Sequence, residues 1–303
     1  GVVGIGREGV ARVRADRAGD PRAGRAQAGA TSPVSGAVTP GSVVVGYCDG
    51  GSWSASFGLS YRDLVMHDVL GPQRIVRSGG TELRKVVGTM GVAPGRNDIA
   101  AQFLDGTDGE WLWMVDTDMG FAPDTVDQLV KAADAELRPV LGGLCFALKR
   151  QERGDLYAER FRMAPTVYEY LDLGDEVGFR PILDYPRGQV VQVAATGAAC
   201  LLMHRSALER VRASYGDAWF DPIVHPTGAK GRPRTFSEDL SFCVRLASVD
   251  LPIHVDTGVK TSHHKGGIYL DEAAYDHQQS SPWPVASRDS APAACSEQAG
   301  SVK

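Results

Sequence analysis

The chain lacks any apolar run near the ~20 residues that a bilayer-spanning helix needs, so no membrane span is expected. It also lacks an N-terminal apolar segment of the secretory type. Its five cysteines, Cys48, Cys145, Cys200, Cys243 and Cys295, form no C-x-x-C pair and are odd in number. They read as free thiols in a reducing compartment, and a cytoplasmic protein is the expectation. There is no excess of positive charge either. A formal net charge of -5 argues against bulk nucleic-acid binding and leaves room for a local basic groove. Residues 1–40 hold six arginines and eight glycines but no Leu, Phe, Trp or Tyr. A segment so poor in apolar surface cannot offset the entropy of ordering it, so a disordered tail, or an over-extended start of the reading frame, is expected there. Gly4-Ile5-Gly6-Arg7-Glu8-Gly9 fits G-x-G-x-x-G. With no strand before it and an Arg/Ala/Gly tract after it, it is read as a chance match.

What is present is an α/β pattern between those ends. Trp111-Leu112-Trp113-Met114-Val115 runs straight into Asp116-Thr117-Asp118, the signature of a buried central strand with acids at its C-terminal edge. Desolvating an unpaired carboxylate is costly, so both acids must meet solvent, a metal or a cation. In open α/β sheets that edge is where ligands bind. Val43 to Tyr47 predicts the first strand and Phe57 to Val69 a helix. Glu82 to Thr89 predicts a second strand, and Ala93 to Asp98 a turn into a helix carrying Ile99, Ala100, Phe103 and Leu104. Val126, Leu129, Val130, Ala133 and Leu137 give the clearest amphipathic helix, with Pro139 to Phe146 the next strand. Residues 150–190 read as turns and short runs. Val190 to Met203 reads as one strand with small residues in its middle. Ser206 opens a capped helix, and His225 to Thr235 reads as a mobile basic loop carrying Lys230, Arg232 and Arg234. Ser237-Glu238-Asp239 opens another helix, and Pro252 to Asp256 reads as the last strand, with no pattern after about residue 279. The expected division is a tail over 1–40, one domain over 41–279 and a second disordered tail over 280–303.

Each candidate group has two readings. Strand alternation places Asp116 and Asp118 on one face, to hold a divalent cation through oxygen or to stand solvated before the next helix. Glu238 and Asp239 either cap their helix or supply a general base. His263 and His264 either ligate a metal or line a surface loop. Arg96 and Asn97 meet a ligand phosphate or base, or open their helix. Lys265 is a further cation for an anionic donor, and the loop with Lys230, Arg232 and Arg234 is a lid or a solvated loop.

In this order the motifs resemble those of the GT-A-fold nucleotide-sugar glycosyltransferases of the family-2-like branch, small members of which also occur in bacteriophage genomes. Ala93 to Asn97 is similar to that family's A-R-N turn, and Trp111 to Asp118 to its strand ending in D-x-D. Thr196-Gly197-Ala198 with Leu201 to Arg205 is similar to its small-residue strand, Ser237 to Asp239 to its E-D helix, and Val259 to His263 to its terminal histidine element. The resemblance spans roughly 43–275. It implies a Rossmann-like α/β/α sandwich around a mostly parallel sheet and a nucleotide-diphosphate-sugar donor. It implies Mn2+ or Mg2+ held by Asp118 and His263 with Asp116 on the metal or the ribose. Arg96, Asn97, Gly197 and Lys265 are then expected on the donor and Asp239, beside Glu238, as base. The acceptor, whether glycan, protein, lipid or modified nucleobase, stays open. The other readings are a nucleotidyltransferase or phosphohydrolase using the same aspartates, or a non-catalytic sugar- or nucleotide-binding module. Gly46-Tyr47-Cys48-Asp49-Gly50-Gly51 departs from the family's first-strand pattern.

Overall fold

Alternation along β3 (Gly109–Val115) assigns its side chains to two separate cores. Leu112 and Met114 pack on one face of the sheet and Trp111, Trp113 and Val115 on the other. The computed structural model describes residues 38–88, 91–151, 160–174, 176–229, 232–265 and 267–280. The expected tails lie almost wholly outside these. On the first face sit α3 (Val92–Gly106), α5 (Arg205–Tyr215) and α6 (Glu238–Ser248), through Ile99, Phe103, Leu208, Val211, Phe242 and Leu246. On the second sit α1 (Ala55–Leu70), α2 (Arg74–Arg77) and α4 (Thr125–Ala132), through Phe57, Leu64, Ile75, Val126 and Leu129. The chain is therefore an α/β protein with helices on both faces of a sheet.

Among the described residues the main sheet has nine strands. Its order is β10 (Val190–Val193), β15 (Ile253–Lys265), β5 (Val140–Leu144), β12 (Cys200–His204), β3, β1 (Thr39–Asp49) and β2 (Glu82–Val86). Short strands β4 (Met119–Phe121) and β16 (Ile268–Leu270) add to β15. β1 runs parallel to β2 and β3, and β15 parallel to β5. The expectation of a mostly parallel sheet needs correcting at the centre, where β12 is antiparallel to both β3 and β5. The reason is where the chain comes from. β10 pairs with β15, and the next two residues, β11 (Ala195–Thr196), pair with β8 (Val167–Asp172) in a separate three-stranded sheet with β9 (Val177–Pro181). From there the chain re-enters at the C-terminal edge of β3 and must run back down it. Val190 to Met203 is thus three strands in three settings rather than one.

The 150–190 region is built from pairs that period alone does not reveal. β6 (Phe146–Gln151) pairs with β7 (Arg160–Pro165), and β8 with β9. The basic segment read as a loop contains a hairpin of its own, β13 (Val224–Ala229) with β14 (Arg232–Thr235); Lys230 lies outside the described residues. The amphipathic helix α4 stops at Ala132, and Leu137 beyond it is exposed. His204, not Ser206, caps α5, its ring accepting from the Ser206 amide. α7 (Glu272–Ser280) follows β16 and buries Tyr275. Among the described residues no helix is long and apolar enough to cross a membrane.

Candidate functional site

The site is built on the C-terminal end of β3. The strand ends at Val115, and a turn follows in which the Met119 amide donates to the Asp116 carbonyl at 3.1 Å. Side-chain alternation therefore does not carry across from Asp116 to Asp118, and the two acids meet different partners.

Asp116 keeps the parity of Leu112 and Met114 and turns toward α3 and α6. Arg96, at the start of the second turn of α3, donates through Nη2 to Asp116 Oδ1 at 2.8 Å and through Nη1 to Glu238 Oε1 at 3.0 Å. Its side chain is only 5% exposed. Burial alone would lower the Arg96 pKa, but the carboxylates of Asp116, Glu238 and Asp239 outweigh it and hold the guanidinium firmly charged. α3 reaches this position because Gly95 lies against Val87 and Cys48, where a Cβ would come within 2.4 Å of Val87 Cγ1. The residues expected to form a turn at 93–98 are the opening turns of α3 itself. The other end of α3 is fixed by Arg205, whose guanidinium donates to the carbonyls of Phe103, Leu104 and Thr107, a cation on a helix C-terminus. Sequence reading grouped Arg205 with a strand and missed this role.

Asp118 lies on the other side of the turn. β4, just beyond it, pairs with β15, with Met119 opposite His263 and Gly120 opposite Ser262. Gly120 is required at that spacing, since a Cβ there would fall 2.5 Å from Ser262 Oγ. This register brings His263 Nε2 to 3.2 Å and Lys265 Nζ to 2.6 Å from Asp118 Oδ2. Burial pushes the Asp118 carboxyl up, but the hydrogen bonds from His263 and Lys265 win and hold it at about 2. The second oxygen, Oδ1, is buried and has no hydrogen-bond partner among the described residues. His263 Nδ1 lies 3.0 Å from the Phe146 carbonyl. With its proton at Nδ1, His263 would offer the Nε2 lone pair to a cation bound beside the Asp118 carboxylate; with no cation there, Nε2 carries the proton that it shares with Oδ2. His264, the rival ligand, stacks on Tyr269 with ring centres 4.8 Å apart.

Gly197 and Asp239 meet at the same rim. The Asp116 amide donates to Ala199 O at 3.1 Å, which seats the 197–199 turn on the end of β3. Asp239, in the first turn of α6, accepts at Oδ1 from Ser237 Oγ and from the Leu240 amide. Its Oδ2 faces Gly197, where a Cβ would stand 3.6 Å away. Asn97 does not join this group. Its Oδ1 accepts from the Phe220 amide and its Nδ2 donates to Asp221 Oδ1, both at 2.7 Å, so it clamps the 220–221 loop.

As a cation site the rim offers Asp118 and His263. No group of three or more His, Cys, Asp or Glu able to hold a metal occurs among the described residues. Asp116 is engaged by Arg96. The donor set is one carboxylate with an unpartnered oxygen and one imidazole. That fits a hard divalent ion that completes its shell with ligand oxygens and water.

No protein-family model and no curated protein matches the chain. Among solved structures it is similar to A197 from STIV, with 14% identity, a TM-score of 0.42, and 76% of this chain and 90% of that one covered. It is also similar to the inositol-1-phosphate CTP transferase from T. maritima, with 10% identity, a TM-score of 0.37, and 80% and 96% covered. Similarity at this level carries no inference about ligand or activity.

Proposed function

We propose that the protein is a metal-dependent glycosyltransferase of GT-A type that moves a sugar from a nucleoside-diphosphate sugar to an acceptor hydroxyl. The observation that carries this reading is Asp118, a half-buried carboxylate with one buried, unpartnered oxygen and with His263 and Lys265 on the other. Asp118 and His263 hold Mn2+ or Mg2+, which when bound neutralises the charge that develops on a departing diphosphate. Lys265, half exposed at the strand end, adds a mobile positive charge to the same phosphate oxygens. Arg96 bridges Asp116 and Glu238, so the floor of the donor site stays rigid. Asp239 takes the proton from the acceptor hydroxyl through Oδ2, and Gly197 leaves room for a sugar ring against it. Glu238, bound to Arg96, is the poorer base of the two.

A nucleotidyltransferase built on the same aspartates needs backbone amides at the end of the first strand to cradle phosphate. Here the Gly51 amide already donates to Asp49 Oδ1 at 2.7 Å, and Asp49 is itself ion-paired to Arg84, so that amide is not free to cradle a phosphate. Glycosyl transfer is therefore the better fit. The test is incubation with Mn2+ and a panel of nucleotide-sugars, with released nucleotide read by mass spectrometry. Release by the wild type and its loss in Asp118→Ala is the expected result. No turnover of any donor, with Asp118→Ala binding metal and nucleotide as the wild type does, rejects the proposal.

A further inference from the structure

α1 is apolar on its outer face as well as its inner one. Phe57 and Leu64 are buried against the sheet. The exposed positions of the helix are Ala55, Leu59, Arg62, Met66, Val69 and Leu70, of which one is charged. Leu70 is 80% exposed, and Leu59 and Met66 are each more than half exposed. α5, on the other face of the sheet, shows what a helix in this setting ordinarily turns to water: its exposed positions are Glu209, Arg210, Ala213 and Ser214. α2 extends the α1 patch. Asp68 accepts from the amides of Arg74, Ile75 and Val76, which folds the chain back at the end of α1 and sets the exposed Val76 there. Leu59, Met66, Val69, Leu70 and Val76 together expose roughly 500 Å2, in the range of about 300–600 Å2 where the largest apolar patch of a monomer is often functional.

The pattern of the patch selects its partner. Leu59, Met66 and Leu70 stand seven and four residues apart on one line along the helix, the spacing of a helix–helix seam. Arg62 and Asp63 are consecutive and so lie on opposite flanks of that line. Their side chains pair with each other at 2.7 Å, both well exposed, a contact that contributes little to a monomer. The patch is therefore its own complement. A two-fold axis parallel to α1 sets Leu59, Met66 and Leu70 against the same residues of a second copy, and Arg62 of each copy against Asp63 of the other on both flanks. The size agrees, since interfaces are about 57% apolar and roughly 500 Å2 of apolar surface then fits the ~800 Å2 per partner of a stable complex. The charges around the patch are balanced, with His67 and Arg74 both on Asp127, so it lacks the cation excess of a helix that lies on a lipid surface. We propose that the protein is a homodimer joined through α1, the two helices packed side by side and parallel. No residue assigned to the donor or to the base belongs to this patch, so the dimer does not rest on the glycosyl-transfer reading.

The experiment is sedimentation velocity of the full chain at concentrations up to about 100 μM. The variants are Met66→Lys, Arg62→Asp, and Arg62→Asp with Asp63→Arg. All change exposed side chains, and circular dichroism checks that each keeps the fold. The wild type is expected to show a concentration-dependent dimer. Met66→Lys sets like charges against each other at the axis, and the dimer Kd is expected to rise about a hundredfold. Arg62→Asp leaves acids facing each other on both flanks and is expected to raise Kd about tenfold, while adding Asp63→Arg brings it back to within about threefold of the wild type. A wild type that stays monomeric over the whole range overturns the proposal. A dimer unaffected by Met66→Lys lies on another surface and overturns it too. So does a charge reversal without recovery, which rules out the parallel two-fold. Flotation with phosphatidylcholine vesicles tests the other occupant: a monomeric wild type that floats, with Met66→Lys left behind, makes α1 a membrane-docking helix and overturns the dimer.

Discussion

Asp116 and Asp118 stand two residues apart in the chain and in opposite electrical settings. At the Arg96 end of the rim, a guanidinium 5% exposed is shared between two carboxylates that are each about one-third exposed. At the His263 end, a single carboxylate draws an imidazole and an ammonium to one oxygen and leaves the other buried without a partner. The first arrangement is closed, since Arg96 has its carboxylates and they have it. The second is open, because a cation can enter without first breaking a buried pair. A lysine more than half exposed is the group such a cation would displace. The contrast teaches that a D-x-D spacing does not make two equivalent ligands when the strand stops between them.

The largest expected effect separates the two ends by stability. Arg96→Met leaves Asp116 and Glu238 facing each other with no cation between them. Removing one partner of a buried ion pair costs about 3–5 kcal/mol, and the partial exposure of both acids places this case near the lower figure, about 3 kcal/mol. Urea unfolding measures it. A loss under about 1 kcal/mol would mean that the Arg96 end is as open as the His263 end, and the contrast would collapse.

The next effect is a pH dependence at the His263 end. The Asp118 carboxyl is held at about 2 against an ordinary 3.8. Its folded-state pKa is depressed, so its contribution is fully present above about pH 4 and is lost as pH falls from there toward about 2. The shift is worth about 2 kcal/mol. The stability gap between the wild type and Asp118→Asn should therefore be near its full size at pH 6 and shrink steadily below pH 4. Denaturant midpoints across that range check it. Metal affinity of Asp118→Asn should fall at least about tenfold at neutral pH. A gap that does not change with pH would remove the ionic account of Asp118.

Some of this was readable from the residues alone, for physical reasons that differ by element. β1 and β3 are β-branched or aromatic runs buried on both faces, so composition marks them without help from partners. The acids at the edge of β3 were legible because a carboxylate cannot stay buried unpaired. Which cation each acid meets was not legible, since it depends on the turn after Val115 and on the β4–β15 register. β6 to β9 escaped notice because strands paired in small, half-exposed sheets show little alternation. Phe161 and Leu148 are exposed there while Val167 is buried. The sequence neighbours of Asn97 point it toward a ligand, whereas its partners lie more than a hundred positions along the chain. The thiols proved simpler: burial raises Cys145, Cys200 and Cys243, and Cys48 is pushed up to about 11.

The smallest expected effect on stability is also the one that tells whether the Arg96 end does more than hold the fold. Gly197 lies between Asp239 and Thr166, the residue just before β8. A Cβ there would stand 3.6 Å from Asp239 Oδ2 and 3.7 Å from Thr166, ordinary contact on both sides. Gly197→Ala should therefore change folding stability by no more than about 0.5 kcal/mol. The methyl would nevertheless occupy the space between the base and the wall opposite it. Transfer to the acceptor should drop while metal and nucleotide binding at Asp118 stay as they are. A stability loss above about 1 kcal/mol would mark the glycine as a packing requirement. Full transfer activity in a stable variant would mean that nothing reacts against Asp239, and the base would have to be sought elsewhere on the rim.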